Sequence, residues 1–163
     1  MRQLATWLTS FRPIIEDDAV WGDLVQAASS QGLAGLALTS TACRGAPTWV
    51  TNSLRGAASR VAAENLHALH ELARVVQAFE HAGIPLMVLK GAALNLTIYP
   101  RWDLRQMSDL DLLVAPQDAH RAIERLESVG YESGASLIRD DFFPKHHYEK
   151  EMILPGPRPV RVD

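Results

Sequence analysis

The sequence predicts an α/β (α+β) fold: an N-terminal helical lobe, residues 1–83, precedes a small mixed β-sheet core with flanking helices, residues 84–163. Three observations predict it. Apolar residues in the first half recur at spacings of three, four and seven, the signature of a helix face. After Gly83 the apolar runs shorten to strand length and alternate with segments opened by Gly or Pro. Finally, "PGPRP" separates two short apolar stretches near the end, as in a hairpin.

In chain order, acidic residues at Asp17 and Asp18 open a helix that runs to about Ser30. A shorter helix is expected from Leu33 to Cys43. Pro47 and Thr48 open a long helix on which Ala58, Val61, Ala68, Leu72, Val75 and Phe79 share one face; Gly83 and Pro85 stop it. Leu86–Leu89 reads as a strand, and "GAALNLTIY" as a helix beginning at Gly91. "RWDLRQMS" is a polar connection to a strand from Asp109 to Val114. Pro116 then stands at the favoured first position of a helix that closes on Gly130. "YESGAS", "HHYEKEMIL" and "RPVRVD" supply the remaining strands of a mixed sheet.

Composition narrows the function. With 47% hydrophobic and 21% charged residues, the 163-residue chain has the make-up of an ordinary globular domain. Sixteen basic against 19 acidic side chains leave no positive surplus of the kind that marks nucleic-acid binding. Cys43 is the single cysteine, so neither an intrachain disulfide nor a thiolate cage can form. The longest apolar run, Ile84–Leu89, is far short of the roughly 20 residues of a membrane span. These features lead us to expect a cytoplasmic protein with no membrane partner.

The chemistry concentrates in "LMVLKGAALNLTIYPRWDLRQMSDLDLLV", from Leu86 to Val114. Residues two apart on a strand share a face, so Asp109 and Asp111 project together while Leu110 and Leu112 pack behind them. Two neighbouring carboxylates repel unless a cation separates them, and oxygen ligands on a rigid strand suit Mg²⁺ or Mn²⁺. A lone D-x-D also fits a strand end in solvent. Lys90-Gly91 adds to it: a glycine turn exposes backbone N–H groups, a helix N-terminus favours anions, and Lys90 contributes a full charge. Together they fit a phosphate cradle beside an acidic site, while a Lys-Gly pair alone also fits an ordinary strand-to-helix turn.

These residues resemble a bacterial family of uncharacterised nucleotidyltransferases in the DNA polymerase β-like superfamily. Its pattern, aliphatic-L-K-G-a-a-L, a Tyr, then R-x-x-x-D-[IL]-D-[IL]-L-[IV], is met by Lys90, Gly91, Leu94, Tyr99, Arg105, Asp109, Asp111 and Leu113. "LVQAASSQGLAGL", "LHELARVVQAFEHAGIP" and "AHRAIERLESVGYE" extend the similarity over nearly the whole chain. The resemblance implies a polymerase β-like core. It also implies metal-dependent transfer of a nucleoside monophosphate from a triphosphate to an acceptor hydroxyl, with release of pyrophosphate. Asp109, Asp111 and Asp163 would be the catalytic and metal-binding residues; Lys90, Gly91 and Arg105 would bind the nucleotide's phosphates. The acceptor could be a small molecule, a peptide, a protein or RNA. A non-catalytic nucleotide-binding module and an antitoxin-like adenylylating protein are the alternatives within the superfamily.

Two departures matter. The superfamily's glycine-serine pair is Gly91-Ala92 here. The third acid of the family pattern falls on Asp163, the last residue, so the core is expected to be incomplete at its C-terminus and this carboxylate poorly held. Other residues read more blandly. His67 and His70 suit solvated or capping positions, Tyr99 suits packing, and Trp7, Trp21 and Trp49 suit helix contacts. Trp102 could line a site, and one of His146 and His147 could reach the cleft.

Overall fold

The computed structural model describes residues 17–133 and 150–163; His146, His147 and Trp7 lie outside them. Contact clustering divides the chain into two units: Met1–Asn65 with Tyr99–Gln106, and Leu66–Ile98 with Met107–Asp163. That division differs from the boundary expected at Gly83. The division falls inside the long helix, because each half of that helix supplies the core of a different unit.

The first unit is helical among its described residues. Helix α1 (Asp18–Ser30) is capped by Asp17, whose carboxylate accepts a 2.8 Å hydrogen bond from the Ala19 N–H. Helix α2 (Ala34–Thr39) is shorter than expected, and a 3₁₀ turn (Thr41–Gly45) follows it. Helix α3 (Thr48–Ala82) then begins. Trp21, Ala34, Cys43, Val50, Leu54, Ala57 and Ala58 form the core. Close approach is built into this unit at Gly35, where a Cβ would stand 1.9 Å from the Asp103 carbonyl oxygen. At the end of this half of α3, fully buried Asn65 donates from Nδ2 to the carbonyls of Trp102 (2.6 Å) and Arg105 (2.7 Å). That amide fixes the polar connection 99–106 in place.

The second unit takes the remainder of α3, which buries Leu72, Val75, Ala78 and Phe79. Gly83 ends the helix at φ +62°, a left-handed conformation that favours glycine. Strand β1 (Leu86–Val88) leads into helix α4 (Lys90–Thr97), and strand β2 (Leu112–Val114) pairs antiparallel with β1, Met87 opposite Leu113. After a 3₁₀ turn at Pro116–Asp118, helix α5 (Ala119–Ser128) packs against the end of α3. Arg121 and Arg125 of α5 donate to the Ala82 and Ala78 carbonyls of its last turn, at 2.7 and 3.0 Å. The Ala82 carbonyl, at the helix end, lacks a helical partner, so Arg121 completes it.

Strands β3 (Glu132–Ser133), β4 (Met152–Leu154) and β5 (Val160–Val162) form a second antiparallel piece, with β4 in the middle. A parallel bridge between Leu110 and Val162 joins β5 to the chain entering β2. Counting that bridge, the sheet is mixed, as the sequence predicts. Leu110, Met152, Val160 and Val162 are buried on the same side as Phe79, so this face of the sheet packs on α3.

Candidate active site

The opposite face of the sheet carries the charges. Buried Leu110 sets its neighbours Asp109 and Asp111 on the opposite face, where Asp111 is itself covered, and buried Val162 does the same for Arg161 and Asp163. The parallel ladder brings the two strands into register: Leu110 N–H donates to the Arg161 carbonyl (2.9 Å), Asp163 N–H to Leu110 (3.1 Å), and Leu112 N–H to Asp163 (2.8 Å). Asp163 thus stands beside Asp111. Both its backbone N–H and its backbone C=O are hydrogen-bonded to the strand that carries the D-x-D.

The β4–β5 register adds a residue that motif reading overlooked. Met152 pairs with Val162, which sets Glu151 opposite Asp163 on the charged face. The Glu151 carboxylate accepts from Arg161 Nε at 2.9 Å. The signal was available in the sequence, since pairing outward from "PGPRP" reaches Glu151 and Asp163 together. Burial pushes the Asp163 carboxyl above its ordinary range; Asp109, Glu151 and Asp111 push it further, and Arg161 opposes them.

Lys90 faces this cluster from the start of α4. Its ammonium lies 2.5 Å from Asp111 Oδ1, and the Asp111 side chain is 7% exposed. Lys90 also has φ +42°, which non-glycine residues rarely adopt. The turn expected at Gly91 is therefore made by Lys90, while Gly91 itself sits in the helix. A left-handed lysine costs about 1–2 kcal/mol, and here it aims the ammonium at the acidic pair. Gly91 is not needed for packing: a Cβ there would meet Met107 Cγ at 3.6 Å, an ordinary contact. Leu89 offers no side-chain cap, so the first turn of α4 presents backbone N–H groups without a side-chain acceptor at its cap.

Four carboxylates (Asp109, Asp111, Glu151 and Asp163) thus share one face with two cations, Lys90 and Arg161. A divalent cation would balance the excess. Among the described residues no group of three or more His, Cys, Asp or Glu side chains is arranged to hold a metal. Two strand carboxylates still fit Mg²⁺, which commonly takes one or two protein oxygens and completes its shell with substrate phosphates and water.

The other expected residues fall elsewhere. Arg105, Tyr99 and Trp102 belong to the first unit, where the Arg105 and Trp102 carbonyls hold Asn65. His67 Nε2 lies 3.1 Å from the Arg158 carbonyl, a structural contact within the second unit. Among the described residues no helix is long and apolar enough to cross a membrane.

Comparison with known proteins returns no match among curated proteins and none among solved structures. A family model does match, over residues 17–163. The chain therefore belongs to the family described as "Uncharacterised nucleotidyltransferase".

Proposed function

We propose that the protein transfers a nucleoside monophosphate from a nucleoside triphosphate to an acceptor hydroxyl, in a reaction dependent on Mg²⁺ or Mn²⁺. One observation carries the reading: Asp109, Asp111 and Asp163 share a sheet face beside the ammonium of Lys90. Family membership supports the same class of chemistry.

In this reading Asp109 and Asp111 hold the metal, with Asp163 as a third ligand or as the base. When bound, the metal supplies neutralisation of phosphate charge and stabilises the attacking and leaving oxygens. The first-turn amides of α4 and Lys90 bind the phosphates. The acceptor oxygen attacks the α-phosphorus as its proton passes to Asp163. A new P–O bond forms, the bond to the bridging oxygen breaks, and pyrophosphate leaves. A carboxyl with a raised proton affinity suits that transfer.

The test is incubation of the chain with each α-labelled triphosphate and Mg²⁺, following pyrophosphate release and label transfer to small-molecule, peptide, protein and RNA acceptors. Metal-dependent label transfer that Asp109→Ala removes is the expected result. A Gly91→Ala variant sharpens it: the protein accommodates the methyl group, so folding should hold while triphosphate binding falls. Normal binding by Gly91→Ala would overturn the cradle.

A further inference from the structure

The first unit contains a cleft that the proposed chemistry does not use. It has a volume of about 540 Å³, within the range of small-molecule sites, and none of the carboxylates of the candidate active site lines it. Its floor is one stripe of α3, where Ala58, Ser59 and Ala62 are small enough to leave a shallow bed. Trp102 forms a wall and is 48% exposed although its neighbours are fixed. A large indole left half open to a cleft offers a stacking face.

The wall is tied down by contacts already described. Asn65 holds the carbonyls of Trp102 and Arg105, and Gly35 lets α2 press against the Asp103 backbone. A preformed cleft avoids the entropy of ordering a loop around its ligand. Its rim is cationic. Arg101 forms a two-pronged pair with Asp103, which neutralises it. Arg55 donates to the neutral amide of Asn52 at 3.1 Å, and among the described residues no carboxylate pairs with it. Among the described residues the rim therefore keeps one positive charge without a carboxylate partner beside an aromatic face.

We propose that this cleft binds a planar aromatic ring carrying a phosphate, without metal, by stacking on Trp102 and pairing the phosphate with Arg55. The proposal is independent of the assignment of the second unit, and its test keeps the two apart. The probe is adenosine 5′-monophosphate, titrated by calorimetry and tryptophan fluorescence in excess EDTA. Adenosine and inorganic phosphate serve as the separate halves.

The monophosphate should bind more tightly than either half and quench fluorescence. Arg55→Ala should reduce its affinity about tenfold, the scale of one charge-assisted contact. Trp102→Ala should remove the preference for the ring, and Trp102→Phe should restore part of it. Asp109→Ala/Asp111→Ala should bind the probe as the parent does, even where triphosphate binding is lost. Absence of binding overturns the proposal. So does binding unchanged in Trp102→Ala and Arg55→Ala, or equal affinity for inorganic phosphate alone. The circular-dichroism melt of each variant must match the parent's, and the exposure of Trp102 makes that the expected result.

Discussion

Among the described residues of the first unit the fully buried polar side chain is Asn65, a neutral amide that donates to two backbone carbonyls. The second unit buries, beside the amide of Asn95, two carboxylates, Glu71 and Asp111. Arg74 pairs with Glu71 at 2.6 Å and Lys90 with Asp111 at 2.5 Å, and both cationic side chains are substantially exposed. A buried amide with backbone partners is a fixture that nothing exchanges. A buried carboxylate is tolerable only with a countercharge, and an exposed lysine can leave it for another partner. The comparison separates a unit whose buried amide holds a loop from one whose buried acids keep charge available.

The largest expected effect tests the second half of that contrast. Asp109→Ala/Asp111→Ala should abolish metal-dependent triphosphate binding in calorimetry. Its melting temperature without metal should hold or rise, because two like charges are removed from a crowded face. Equal binding by variant and parent would make the carboxylates ordinary surface acids.

Asn65→Leu tests the first half. It leaves the Trp102 and Arg105 carbonyls without their donor, and an unsatisfied buried group costs about 1–3 kcal/mol. Urea denaturation should show that loss, with triphosphate binding by the folded protein unchanged. An unchanged midpoint would mean that Asn65 fixes nothing.

Tyr131 sharpens the picture of the second unit's interior. Its hydroxyl is buried and, among the described residues, has no hydrogen-bond partner; burial and then Glu71 push its pKa up to about 12, with Arg74 opposing. A folded-state pKa above the unfolded value means the contribution is fully present below pH 10 and is lost as pH rises towards 12. Parent stability should therefore fall across that window by about 1.4 kcal/mol per pH unit relative to Tyr131→Phe. Below pH 10 the phenylalanine variant should equal or exceed the parent, since it removes an unpartnered buried hydroxyl. Parallel pH profiles would refute the account.

The smallest effect concerns Lys90. If its left-handed backbone is strained, Lys90→Gly should be more stable than Lys90→Ala by about 1 kcal/mol in denaturation. Both should weaken triphosphate binding, by about 1–3 kcal/mol for a lost charge-assisted contact. A less stable glycine variant would show that the turn carries no strain.

The sequence by itself determined the local features. The apolar stripe predicts the long helix, and Leu72, Val75 and Phe79 are indeed buried along it. Alternation places Asp109 and Asp111 on one side of Leu110, and "PGPRP" sets the β4–β5 hairpin register. These follow from periods of 3.6 and 2 and from turn chemistry, which act over a few residues.

Tertiary structure decided the rest. The long helix reads as one element, yet its two halves serve different cores, because burial depends on what packs against each face. The strain on Lys90 rather than Gly91 comes from joining β1 to α4 next to Asp111, a contact that no dipeptide propensity encodes. The parallel bridge from Leu110 to Val162 brings Asp163 and Glu151 to the D-x-D. Pairing between strands so distant in sequence is selected by packing of the finished sheet on α3, where Leu110, Met152 and Val162 share the core with Phe79.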